Sequence, residues 1–213
     1  NNSKHTTFLG PVTLANGDWT LAMSVSDAAR FVGPIGDGVL GYGFTKAGTS
    51  TITLRGTNTY SGATVVAGGT LALAGEGTLS NSLSIEITSG ATLDVVSRTG
   101  SSMTLESGQT LKGSGTFAGG LITASGSTLA PGSSPGILTV NGSLTMLSGS
   151  TFSVELNGTV AGTGYDQVNM SGGLLDLNGA DLNVSLGFSP TVGDSFQIFT
   201  GLSGYDPLFN GTF

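Results

Sequence analysis

The sequence predicts an all-β chain wound as a parallel β-helix, a β-solenoid of roughly ten coils, and three observations carry that prediction. A short unit recurs along the chain: a glycine, a spacer, Thr-Leu or a near variant, then alternating apolar residues. Inside each unit the large residues alternate with Thr, Ser or Glu, the period of a strand with one buried face. Glycine supplies 37 of the 213 residues, against 13 acidic and 6 basic side chains, so tight corners are abundant and charged surface is scarce.

The copies read GTSTITLRG from Gly48, GGTLALAGEG from Gly68, GATLDV from Gly90, GQTLKGSG from Gly108, GSTLAPG from Gly126, GSTFSVELNG from Gly149 and GADLNVSLG from Gly179. Their apolar anchors are Leu54, Leu71, Leu93, Leu111, Leu129, Phe152 and Leu182. The spacing centres on about 20 residues and widens only before Leu182, a loose period of the length one solenoid rung needs. Strands this short cannot bury an apolar face alone. Coils stacked about 4.8 Å apart merge their inward residues into one continuous core, and ten of them make a rod on the order of 50 Å long. A β-sandwich would need hairpins, and Asn-Gly at Asn16, Asn141, Asn157, Asn178 and Asn210 allows some near the C-terminus. A propeller blade would run about 40 residues, twice the observed spacing.

The pattern divides into irregular coils over 1–47, holding Trp19 and Phe31 and Phe44, regular repeats over 48–150, and longer coils or a cap over 151–213. Six of the ten Phe lie from Phe152 onward, joined by Tyr165 and Tyr205, which suits a wider terminal rung. The expectation is one elongated domain. Its final stretch from Phe209 to Phe213 is β-type sequence without a charged or Pro-rich terminator. An open last rung would expose unpaired backbone groups as a template for a second chain, so end-to-end assembly is an expectation.

Composition removes several function classes. Without cysteine there is no disulfide framework, thiolate nucleophile or thiolate metal site. A net charge of -7 with six basic residues leaves no electrostatic footprint for nucleic acid. The uncharged stretch between Lys112 and Glu155 is too rich in Gly, Ser, Thr and Pro to read as a transmembrane segment. Asn1 to His5 lack the basic and apolar regions of a signal peptide, and mature product or fragment remain open alternatives.

The segment GTNTYSGATVVAGGTLALAGEGTLSNS, Gly56 to Ser82, resembles the autotransporter-associated β-strand repeat in its order of Asn58, Tyr60, Gly62, Gly69 and Leu71. The lead-in KAGTSTITLRG, the stretch LAPGSSPGILTVNGSLTMLSGSTFSVELNG and the closing GYDQVNMSGGLLDLNGADLNVSL and GDSFQIF are similar to parts of the same family. The resemblance implies a right-handed β-helix from the passenger region of a bacterial surface protein, secreted or displayed on the cell surface. It implies a location and an architecture rather than a chemistry. The outer-membrane barrel of a complete family member does not read in this sequence.

Parallel β-helices also include polysaccharide lyases and hydrolases, so paired carboxylates matter. The acids are scattered, and only Asp176 and Asp181 lie close, across a turn at Asn178-Gly179. The bases Lys4, Arg30, Lys46, Arg55, Arg98 and Lys112 do not cluster with acids in the sequence. Gly172-Gly173 and Asp176 approach a calcium-binding nonapeptide without tandem copies, and His5 alone provides neither a zinc site nor a triad. Asn58 and Tyr60 read as corner residues, with the Tyr60 ring packed over a coil and its hydroxyl wet. Sequons stand at Asn141, Asn157, Asn169, Asn183 and Asn210. The expectation is therefore a non-catalytic extracellular structural or adhesive module, with no catalytic, cofactor or metal residues. Its partners would be copies of itself or cell-surface ligands. A carbohydrate-active enzyme on the same fold is the alternative.

Overall fold

In the computed structural model, which describes residues 4–24 and 27–201, every paired strand runs parallel to its neighbours and no helix occurs among the described residues. The chain passes repeatedly through a first face, a middle face and a third face, then steps up one rung. The first face is a nine-stranded sheet of Lys4–Phe8, Asp27–Phe31, Thr51–Leu54, Thr70–Leu73, Thr92–Asp94, Thr116–Ala118, Ile137–Asn141, Gln167–Met170 and Phe199–Thr200. The third face stacks Trp19–Met23, Phe44–Gly48, Thr64–Val66, Ser84–Ile87, Thr110–Gly113, Thr128–Pro131, Thr151–Leu156 and Asp181–Leu186. Between them the middle face pairs Val12–Thr13 with Ile35–Gly36, and further along stacks Ser102–Leu105, Gly120–Thr123, Leu144–Met146 and Leu175–Asp176. This is the expected parallel β-helix.

Eight complete coils and the first strand of a ninth are described, fewer than the roughly ten expected. The reason lies in the recurring unit. Leu71 and Leu93 stack on the first face, whereas Leu111, Leu129, Phe152 and Leu182 stack on the third. Gly-x-Thr-Leu thus opens strands on two faces, and aligning its copies mixes two columns. The true repeat follows partners on one face: Ala28, Thr51, Thr70, Thr92, Thr116, Thr139, Asn169 and Thr200. The shortest coil runs from Thr51 to Thr70, and the two longest follow Thr139. At about 4.8 Å per rung, eight coils span about 40 Å.

Strand alternation sets which residues fill the coil. On the first face Ala29, Ile52, Leu71, Leu93, Phe117, Val140 and Met170 form one inward column, each partner directly above the last. All seven are buried, at about 1.5–3 kcal/mol for each large side chain. The outward column beside it carries five threonines in succession, from Thr51 to Thr139. β-branched side chains fit this pleated surface, and stacked Thr pairs add a few tenths of a kcal/mol each. Aromatic rings fill the ends: Phe8 stacks on Phe31 at 4.6 Å, and Phe152 on Phe199 at 4.6 Å.

Close rung contact also explains particular glycines. A Cβ at Gly62 would run into the backbone of Gly41 to Gly43 in the preceding coil, although its φ is ordinary. Gly90 is different, with φ +78° and open space around it. Gly62→Ala should therefore cost about 2 kcal/mol or more through forced rung separation. Gly90→Ala should cost about 1 kcal/mol from its left-handed backbone alone. Urea midpoints of the two variants check the order, and equal losses would refute it.

Candidate functional site

The most distinctive sequence segment, Asn58-Thr59-Tyr60-Ser61-Gly62, forms a polar staple joining three coils. Asn58 is buried; its Oδ1 accepts from Ile35 N at 2.9 Å in the coil below, and its Nδ2 donates to Thr78 O at 2.9 Å in the coil above. Tyr60 is 1% exposed and its hydroxyl lies 2.7 Å from Thr64 Oγ1, so the expected wet hydroxyl is corrected: it is buried. The chain continues from Thr64 Oγ1 to Ser82 Oγ at 2.9 Å and from there to Gly62 O at 2.8 Å. Burial pushes the Tyr60 phenol well above its ordinary pKa, opposed by its bond with Thr64. A phenol held this way is a strut and not an acid-base group.

Asp37, which the sequence reading did not single out, completes the staple. Its carboxylate accepts from Val39 N, Tyr42 N, Ser61 N and Ser61 Oγ at 2.8–3.2 Å, tying one coil's loop to the next coil's corner. Burial raises its pKa, but these donors outweigh it and hold the group at about 2. An Asp between glycines in GDGVLGYG was the available signal, since Asp bonds its own loop backbone. Lys46 is another unexpected buried group, standing between Leu21 and Val66 in an inward column. Its Nζ donates to Ala47 O, Gly48 O and Gly68 O at 2.8–3.0 Å, and burial lowers its pKa.

The acids and bases relevant to the enzyme alternative meet on the third face. Lys112 Nζ lies 3.5 Å from Glu86 Oε2 in the adjacent coil, a pairing made by coil register between residues that do not cluster in the sequence. Ser133 Oγ donates to Glu86 Oε1 at 2.8 Å. A depression of about 200 Å³ beside them is lined by Lys112, Ser133, Ser134, Ser153, Glu155 and Asp166, among others. Asp166 is 3% exposed, and burial raises its pKa, aided weakly by the Glu155 charge. A raised acid beside a second carboxylate suits hydrolysis in principle. Here both Asp166 oxygens are occupied, Oδ1 by Gly136 N and Oδ2 by Glu155 N, each at 2.8 Å. It clasps the PGSSPG loop onto the next coil, each carboxylate oxygen accepting one backbone amide.

The remaining candidates are dispersed. Asp176 stacks on Thr145 in the middle face, and Asp181 on Thr151 in the third, so the two acids do not converge. His5 lies within a strand, paired with Ala28, and lines a depression of about 520 Å³ with Thr6, Thr7 and Arg30. Among the described residues no group of three or more His, Asp or Glu is placed to hold a metal ion. No helix among them is long and apolar enough to cross a membrane. The Phe209 to Phe213 stretch, Tyr205 and the Asn210 sequon lie outside the described residues.

In-register coils with their polar side chains used as inter-coil staples define a β-solenoid repeat module. Residues 44–73, which hold Lys46, the Asn58–Tyr60 staple and Thr64, match the family model of the passenger-associated-transport-repeat. That finding agrees with the autotransporter-type repeat read at Gly56 to Ser82. No curated protein and no solved structure gives a match to the chain.

The staple is testable by pH. Asp37 has a folded pKa below its ordinary 3.8, so its contribution is present above 3.8 and lost as pH falls toward about 2. Asp37→Ala should lose about 2 kcal/mol near neutrality. Its stability should also change less than the parent's between those two pH values, as measured by urea unfolding. Asp166, raised by burial, contributes with the opposite sign, weakening the fold as pH climbs through its folded value.

Proposed function

We propose that this chain is a non-catalytic structural β-helix module of a bacterial surface or secreted protein, acting as a rigid stalk. The observation that carries the reading is the agreement of the passenger-associated-transport-repeat match with a continuous in-register coil stack in the same residues. The engagement of Asp166 by two backbone amides supports a structural reading over a hydrolase. Antibody raised against the chain should label intact cells of the producing bacterium without permeabilisation. Labelling confined to permeabilised cells would remove the surface assignment.

The finer part of the proposal is contact through the rod's ends. At one end Trp19, in the column of Phe44, is 41% exposed; at the other Leu182, Val184 and Leu186 continue the column of Phe152, Val154 and Leu156 and are 37–59% exposed. The strands carrying them are the two edges of one parallel sheet, so a second copy could extend it in the same sense. Negative-stain electron microscopy over a concentration series should show fibres with a regular axial repeat. Single rods of about 40 Å at every concentration would withdraw self-association and leave the stalk reading standing.

A further inference from the structure

The two ends of the coil stack are not shaped alike. At the N-terminal end the strands Lys4–Phe8, Val12–Thr13 and Trp19–Met23 make one whole coil. At the far end the last whole coil is Gln167–Met170, Leu175–Asp176 and Asp181–Leu186. Phe199–Thr200 stands one rung above it, on the first face alone. Among the described residues the third face therefore ends a rung earlier, which leaves Leu182, Val184 and Leu186 at 37–59% exposure.

The extra strand is well tied. Phe199 is 7% exposed and its ring stacks on Phe152 at 4.6 Å. Val168 N donates to Ile198 O at 2.9 Å, Gln167 Nε2 donates to Gln197 O at 2.6 Å, and Thr200 Oγ1 donates to Asn169 Oδ1 at 3.2 Å. It also fills a place that an incoming coil needs. One in-register column climbs the third face from Trp19 to Leu182, and another climbs the first face from His5 to Asn169 and then Thr200. A second copy that seats Trp19 on Leu182, Leu21 on Val184 and Met23 on Leu186 continues the third-face column by one rung. The same coil of that copy then brings its Lys4–Phe8 strand to the rung above Asn169, where Thr200 already lies. Two strands cannot share a rung.

We infer that the segment 197–200 is a self-capping strap, competing with a second copy of the chain for the end of the first face, so that end-to-end assembly waits on its release. The inference rests on the end-to-end contact proposed above and names what holds that contact in check. Lifting the strap uncovers the outer edge of Gln167–Met170, which the incoming Lys4–Phe8 strand then pairs. Only chains with the strap lifted are competent, and the apparent affinity between copies falls by that fraction.

The test locks and unlocks the strap in the full chain. Asn169 and Thr200 are register partners on strands about 4.8 Å apart, within disulfide range, and the chain has no cysteine of its own. With Asn169→Cys and Thr200→Cys combined, oxidation should raise the concentration at which fibres appear in negative-stain electron microscopy roughly tenfold or more over the same protein reduced. Phe199→Ala should lower that concentration roughly tenfold against the parent. The fibres should repeat every eight rungs, about 38 Å. Thermal unfolding confirms that each variant is folded, and the cysteine pair decides if Phe199→Ala is not. Equal assembly of the oxidised and reduced forms, or a repeat of nine rungs, about 43 Å, overturns the strap and leaves the end-to-end contact standing. Absence of fibres from the parent, the reduced pair and the Phe199 variant alike removes both.

Discussion

Everything in this molecule depends on register between consecutive coils. Each strand finds its hydrogen-bond partners in the coil above and the coil below, so a side chain's position is fixed twice over. One slip of a single residue would turn Leu71 and Leu93 outward and Thr70 and Thr92 into the core. The alternation of Thr and Leu makes that slip costly along the regular coils. The aliphatic columns and the outward threonine column are two consequences of the same ladder.

Corners are where the ladder is hardest to maintain, because coils of unequal length cannot superimpose their turns. Polar side chains take over the pairing there. Asn58 imitates a backbone amide by accepting below and donating above. Gln109 reaches two carbonyls of an earlier corner. Asp37 and Asp166 each gather amides from two segments far apart in sequence. Even the core tolerates Lys46 and Thr64, since each finds acceptors or hydroxyl partners without leaving its column. An interior with these insertions stays compact because every buried polar group just named is satisfied.

Much of the fold was legible from the sequence because strand alternation is a local signal. The parallel β-helix and the buried faces followed from residues adjacent in the chain, whereas Asn58, read as bonding its own turn, bonds Ile35 and Thr78 in the coils on either side. The coil count did not, since Gly-x-Thr-Leu begins strands on two faces and sequence spacing cannot say which face a copy occupies. The Tyr60 hydroxyl was misread as wet because its partners, Thr64 and Ser82, form a chain only once two coils are stacked. Lys112 and Glu86 likewise become neighbours only by register.

The direction of the inter-coil bonds has a mechanical consequence. They run along the rod axis, whereas the strands run across it. Tension applied between the two ends of such a rod therefore pulls each ladder open and does not shear it, and the corner staples resist the first separation. Once a terminal coil lifts, its neighbour becomes the new end and meets the same load. The expected response is stepwise shedding of coils, each releasing its whole contour as slack. The increments would be larger from the Thr200 end, where the coils are longest, and the rod would lengthen greatly before the last ladder parts.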